Sequence, residues 1–196
     1  ALTASCAADA ACEQAYPHLE DTLVSLVTRL EQDPLMLKVT SPRTRALVEI
    51  PFDGRMVYDM LYSMLYTTEI IPALPQVIAA MDAGDFSVAN LHASRLFGPN
   101  LGIGMYVNVY CAEETNLTTL EQALANISLS PALDPLFLAD IQDELRWAFT
   151  QCELWGVPAA NPIENDPVIS PIPTLILNGA LDPVTPPAYA QMVHEH

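Results

Sequence analysis

The chain has 196 residues, 51% of them hydrophobic, and 24 acidic against 7 basic side chains give a formal net charge of −17. That length suits one large domain or one and a half small ones, and the charge argues against nucleic acid and anionic membrane surfaces as partners. The mean hydropathy is +0.24, yet apolar runs are broken by Pro, Asp or Asn before any could span a bilayer. The plain reading of the charge is solubility; a sharper one is a negative field that draws cationic groups such as a peptide amino terminus. The start, Ala1-Leu2-Thr3-Ala4-Ser5, lacks the basic region and apolar core of a secretory signal, so the chain is expected to begin after any such signal.

Cysteines number four. Cys6 and Cys12 form a C-x5-C pair, while Cys111 and Cys152 lie far apart beside apolar or aromatic residues. Three pairings are open. No C-x-x-C or neighbouring His pattern accompanies them, so no metal is expected. Two disulfides in a secreted or periplasmic protein is the better reading than buried thiols.

In chain order, residues 8–30 read as helical, with Leu19, Leu23, Leu26, Val27 and Leu30 on one apolar face and Pro17 in the first turn of the main helix. Residues 35–40 and 46–50 are short and rich in β-branched side chains, a hairpin pattern linked by Ser41-Pro42-Arg43-Thr44 and ended by Pro51. Asp53 can cap the next helix, in which Met56, Met60, Leu61, Met64 and Leu65 recur at helical spacing. Tyr58, Tyr62 and Tyr66 line a neighbouring face; a Met and Tyr surface can shape a pocket, but such stripes are more often core.

A further helix opens at Thr68 or Glu69 and stops at Gly84, and another runs from Phe86 to Phe97 with Ser87 as cap. His92 lies within it and is given no chemistry. Breaks follow at Gly98-Pro99-Asn100 and Gly102-Ile103-Gly104, without the strand or the G-x-G-x-x-G that a nucleotide loop needs, and no cofactor is expected. Tyr and Val favour extended structure over residues 105–111, though a helix also fits. Thr118 or Thr119 caps the next helix, and Asp134-Pro135 begins a longer one whose stripe is Leu138, Ile141, Leu145, Ala148, Phe149 and Cys152, ended by Trp155-Gly156. A Pro- and Asn-rich loop covers residues 157–171. There is no internal repeat and no low-complexity segment.

The stretch 172–187 organises the rest. Residues 174–177, Thr-Leu-Ile-Leu, are too short for a helix and bounded by Pro173 and Gly179, as in a strand buried on both faces of a parallel sheet. Asp182 follows just past the strand end, where open α/β sheets gather their chemistry. Thr185-Pro186-Pro187 reads as a helix start. Locally, an Asp that caps a turn before Pro explains the pattern as well. A parallel-type strand without companions in its own chain suggests a piece of a larger protein.

The turn Gly179, Asp182, Pro183, Pro186 resembles the G-x-x-D-P-x-x-P-like turn that carries the triad acid of α/β-hydrolases. Cys6-Ala7-Ala8-Asp9-Ala10-Ala11-Cys12 with Ala15-Tyr16-Pro17 looks like the cap-domain start of secreted bacterial hydrolases of the tripeptidyl aminopeptidase and proline iminopeptidase type. Cys111-Ala112-Glu113-Glu114 and the C-x-x-W of Cys152 and Trp155 are similar to further segments of that group, in the same order. The resemblance implies a mainly α chain: a helical cap or lid domain over 1–170, with a hairpin, and over 171–196 a fragment of the hydrolase core comprising strand, Asp turn and helix start.

It also implies that Asp182 orients the catalytic His, and that Glu113 or Glu114 holds the free amino group of a peptide or small amide or ester substrate. Sequence proximity pairs Cys6 with Cys12, and the resemblance together with the apolar flanks pairs Cys111 with Cys152.

The departures are as informative. No G-x-S-x-G occurs in these residues. In the family order the Ser would lie upstream of Ala1, and the His beyond His194 and His196, which follow the acid too closely. The chain is then expected to be inactive alone, to need the remainder of the hydrolase core as partner, and to be prone to self-association through the 174–177 strand. The alternative is a stand-alone helical binding protein without catalysis.

Overall fold

A computed structural model describes residues 1–41, 44–96, 102–127 and 134–195. The Pro42-Arg43 part of the hairpin link, the breaks at Gly98-Pro99-Asn100, the expected helix end at Phe97 and the terminal His196 lie outside the described residues. The chain divides into two compact units, Ala1–Gly98 with Pro171–His196 and Pro99–Ser170.

In the first unit, helices α1 (Leu2–Ala8) and α2 (Ala10–Ala15) are joined by the Cys6–Cys12 disulfide. Asp9 stands between them and caps α2, its carboxylate accepting from the backbone N–H of Ala11 and Cys12. Helix α3 (Leu19–Gln32) starts later than Pro17 because His18 takes a left-handed conformation, φ 54°, and interrupts the run. Its buried face is Leu19, Leu26, Val27 and Leu30, packed on α4 (Gly54–Met64) and α5 (Leu74–Asp82). Burying each such side chain contributes about 1.5–3 kcal/mol.

Helix α4 is capped twice: Asp53 accepts from the Met56 N–H at 2.8 Å, and Glu31 of α3 accepts from the Arg55 N–H at 3.1 Å. The crossing with α3 is close because Gly54 has no side chain; a Cβ there would overlap the Val27 carbonyl oxygen. Val57, Met60, Leu61 and Met64 are buried, so the core stripe includes Val57 where the spacing suggested Met56. Between α4 and α5 the chain makes a 3-10 turn, Ile71–Ala73, so α5 begins after the expected Thr68 or Glu69; Gly84, at φ 92°, follows its end.

The hairpin pairs β1 (Leu35–Thr40) antiparallel to β2 (Leu47–Phe52), with Met36 opposite Pro51 and Leu35 opposite Phe52. Pro51 was expected to end the strand, and instead β2 runs through it. Each strand of a two-stranded sheet has an open edge, where a missing N–H is tolerated, and the extension buries Phe52 edge-on to Phe86. Helix α6 (Ser87–Leu96) packs on the hairpin, with Ala89 and Ala93 buried at i, i+4, and Asp85 accepts from the Ser87 N–H ahead of it.

Among the described residues this hairpin is the sole sheet. The run 174–177, expected as a strand of the hydrolase sheet, pairs with no other strand, and Leu175 and Leu177 are 82% and 85% exposed. A strand cannot satisfy its backbone groups alone, and these residues supply no neighbour. Helix α10 (Pro187–Glu195) begins two residues after Thr185 and buries none of its residues.

The second unit holds α7 (Ile103–Glu113), a 3-10 turn (Thr115–Leu117), α8 (Leu120–Ala125) and α9 (Asp134–Trp155). Residues 105–111, for which extended structure was favoured, are helical. Val107 and Cys111, four apart, share the face that meets α9, and the Cys111–Cys152 disulfide fixes it there. Tertiary packing thus outweighs the β preference of Tyr and Val. Thr119 and Gln122 form a capping box on α8, and Gly156, at φ 68°, follows the end of α9. The loop after it is tied back by Asn116 Nδ2 donating to the Val157 carbonyl and by the Ala160 N–H donating to the Ala112 carbonyl, both at 2.8 Å. Among the described residues no helix is long and apolar enough to cross a membrane.

Candidate active site

The turn around Asp182 is built from its own short-range bonds. The Asp182 N–H donates to the Gly179 carbonyl at 3.2 Å, and Asn178 Nδ2 donates to the Thr185 carbonyl at 2.7 Å. One carboxylate oxygen of Asp182 accepts from the N–H groups of Val184 and Thr185, each at 2.9 Å, and the other accepts from the Thr185 hydroxyl at 2.7 Å. Hydrogen bonds from Thr185 first, then Val184, hold the carboxyl below the ordinary aspartate range, so it is charged at neutral pH. Its described partners are Val184 and Thr185, with no histidine among them.

These local bonds are not what sets Asp182 apart. Asp9, Asp53 and Asp85 accept from backbone N–H groups two or three residues on in the same way. The difference lies in what surrounds the turn. Within the first unit, residues 179–183 line an open pocket of about 430 Å³ together with Leu65, Tyr66, Thr68 and Ile71. The Tyr62 hydroxyl donates to the Pro183 carbonyl at 3.4 Å, across 121 residues of sequence. Tyr62 stacks on Tyr58 with ring centroids 6.3 Å apart and meets Tyr66 edge-on at 5.8 Å. Burial first, then the neighbouring Tyr66 and Tyr58 phenols, and least the Asp182 charge push the Tyr62 phenol up to about 12, so it keeps its proton. Sequence spacing marked the three tyrosines as one helix face; nothing local showed that this face meets residues 179–183.

A Ser–His pair also occurs in this unit, unforeseen in the sequence: Ser63 Oγ lies 2.7 Å from His92 Nε2. The Ser63 hydroxyl lies within reach of two acceptors, the Met60 carbonyl at 2.8 Å and His92 Nε2, and the His92 tautomer sets which of them takes its one hydrogen. The contact ties α4 to α6.

Glu113 and Glu114 belong to the second unit, at the last helical position of α7 and its C-cap, and both are exposed. Neither has an ion-pair partner among the described residues. Arg146 is the sole Lys or Arg in the sequence between residues 99 and 170, and it pairs with Asp143 at 3.8 Å. On α7 the Tyr106 and Tyr110 rings stack at 5.7 Å. The two carboxylates at the C-terminal end of α7 add to its negative pole. His18 and His194 are given no partner in chemistry by the described geometry. Among the described residues no three His, Cys, Asp or Glu side chains are grouped to hold a metal ion.

Comparison with known proteins places these observations. A family model described as TAP-like protein matches residues 137–196, just under a third of the chain, from the first turn of α9 through the Asp182 turn and α10. The match supports an α/β-hydrolase family for this segment. No curated protein and no solved structure matches the chain.

Proposed function

We propose that the chain forms the helical cap and acid-bearing turn of a secreted serine hydrolase, an exopeptidase that releases amino-terminal residues or short peptides. Asp182 is the triad acid. A carboxylate on the far imidazole nitrogen holds the tautomer that accepts the Ser proton and stabilises the imidazolium that forms. Glu113 or Glu114 holds the substrate's amino group. The nucleophile, the base and the oxyanion donors come from outside these 196 residues, so the chain alone accelerates nothing. The two disulfides fit export to an oxidising compartment.

The observation that carries this reading is the TAP-like match, which includes the Asp182 turn. The test uses aminoacyl and peptidyl p-nitroanilides, simple esters and a fluorophosphonate label. The isolated chain is expected to give background turnover and no label. Joined to segments that supply a G-x-S-x-G and the His, it is expected to turn over substrate, and Asp182→Asn then lowers kcat by about 10⁴-fold through the wrong tautomer. Labelling of the isolated chain, or an Asp182→Asn enzyme of full activity, sinks the reading. A second reading, a helical binding module without catalysis, draws on one observation: both Asp182 oxygens are already occupied by their own turn. The same assay separates the two.

A further inference from the structure

We infer that Tyr62 is a positioning residue for the acid turn, clamping residues 179–185 onto helix α4 so that the helical part of the molecule sets where Asp182 points. The inference deepens the hydrolase reading above and rests on it for its catalytic meaning.

The run 174–177 that leads into the turn has no strand partner among the described residues. Sheet pairing therefore does not place the turn here; its long-range attachments do. The first is the hydrogen bond from the Tyr62 hydroxyl to the Pro183 carbonyl, one residue past Asp182. At 3.4 Å it is long for an O–H···O bond, but the donor is well held. Its ring stacks on Tyr58 of the same helix and meets edge-on the ring of Tyr66, just past the helix end. The second is Leu181, which precedes the acid. It lines the pocket beside Tyr66 and Ile71, and also a neighbouring one of about 290 Å³ with Cys6, Cys12 and Pro75.

The acid thus lies between Leu181, which faces the pocket beside the disulfide-joined α1 and α2, and Pro183, whose carbonyl accepts from Tyr62 of α4. A carboxylate that must meet an imidazole needs its direction fixed to within a fraction of an ångström. The Asx-type bonds to Val184 and Thr185 fix the carboxylate within the turn, and Tyr62 fixes the turn on the scaffold. Tyr62 itself reaches no substrate atom in this account, and its effect on catalysis passes through Asp182.

The test has two arms. In the 196-residue chain, amide hydrogen exchange is followed at Val184 and Thr185, whose N–H groups Asp182 accepts. Tyr62→Phe keeps the ring and the stack and removes one hydrogen bond. It is expected to speed exchange at those two amides by about three- to tenfold, with the α4 amides of Met60 and Leu61 unchanged. Unchanged exchange at Val184 and Thr185 overturns the clamp, as does an equal rise across the whole unit. In the protein joined to the nucleophile and base segments, the same variant is expected to lower kcat by a similar factor and leave KM unmoved. Faster exchange with an unaltered kcat overturns the catalytic role. If the joined parent protein is inactive, the hydrolase reading fails and takes that role with it, while the exchange arm still decides whether Tyr62 clamps the turn.

Discussion

Two apolar runs of this chain have opposite fates. Leu26, Val27 and Leu30 of α3 are 0%, 1% and 3% exposed, whereas Leu175 and Leu177 are more than four-fifths exposed. Their side chains are of the same kind, and the difference is in the backbone. A helix satisfies its own N–H and C=O groups and needs only one covered face, which α4 and α5 provide. An extended run with apolar residues on both faces needs strands at its edges and layers above and below. Hydrophobicity predicts that a segment is to be buried; only topology says whether its own chain can do it.

The sharpest way to break the contrast is to truncate one leucine in each run. Leu26→Ala is expected to cost about 2–5 kcal/mol, the lost transfer energy plus the cavity left behind. Leu177→Ala should lie within about 0.5 kcal/mol of the parent chain, as for other exposed positions. Urea unfolding of both variants measures the difference. Equal losses would mean that the 174–177 run is covered in solution, by a second copy or by refolding onto the helices, and the oligomeric state at several concentrations would tell which.

A covalent version of the contrast compares the two disulfides. In the chain-entropy model the 41-residue separation of Cys111 and Cys152 contributes about 4 kcal/mol, and the 6-residue separation of Cys6 and Cys12 about 2 kcal/mol. Replacing each pair by Ser should therefore lower the thermal midpoint more for Cys111 and Cys152. A larger loss from the short pair would show that Cys6–Cys12 acts through what it packs against, including the pocket that Leu181 lines, rather than through loop closure.

Much of the first region was legible in the residues. The α3 stripe, the Asp53 cap and Gly84, and in the second unit Gly156 and a cap at Thr118 or Thr119, of which the structure takes Thr119, follow from local chemistry, because helices are specified by neighbours three and four positions away. The hairpin was legible too, short by the two residues that Phe52 draws into β2. Less was legible wherever a distant partner decides. Residues 105–111 have β-type composition and are helical because Cys111 meets Cys152. The Tyr62–Pro183 contact spans 121 residues, and no periodicity reports it. The Asp182 turn could be found by its Gly and Pro residues, but Asp9, Asp53 and Asp85 show that capping chemistry alone does not single out a catalytic acid.

The Tyr62 phenol offers a smaller probe of the second region. Its folded value, about 12, is raised above the ordinary tyrosine value of 10.0. A raised group contributes stability that is fully present below its unfolded value and is lost as pH rises through the folded one. The window is therefore about pH 10 to 12. Asp182→Asn removes one of the charges that raise it, so the phenol should ionise at lower pH. The absorbance difference between the parent chain and Tyr62→Phe, repeated with Asp182→Asn in both, isolates this one ring. An unshifted titration would mean that the Asp182 charge, the least of the influences on Tyr62, does not reach its ring.

The smallest expected effect is at the acid end. Asp182 is held below its ordinary value by the Thr185 N–H and hydroxyl and the Val184 N–H. A lowered group contributes stability that is present above its unfolded value, about 3.9, and is lost as pH falls through the folded one. The turn should therefore keep its bonds at neutral pH and loosen only below about pH 4. Asp85 is lowered by the same kind of bonds, to Ser87, so the loss of total stability does not report on Asp182 alone. The local signal does. Carbon-13 titration of the Asp182 carboxyl should give a value under that of an unfolded aspartate, and in Thr185→Val, which lacks the hydroxyl donor, the value should rise towards it. Protonation should be accompanied by faster exchange at the Val184 and Thr185 amides, while Leu26 and Val27 in α3 keep their protection. Acid would then release the second region and leave the first intact, as expected if one is held by its own turn and a single tyrosine and the other by a packed core. Loss of protection in α3 at the same pH would mean that the two regions unfold as one cooperative unit, and that the turn is more tightly built into the helical scaffold than its exposed leucines imply.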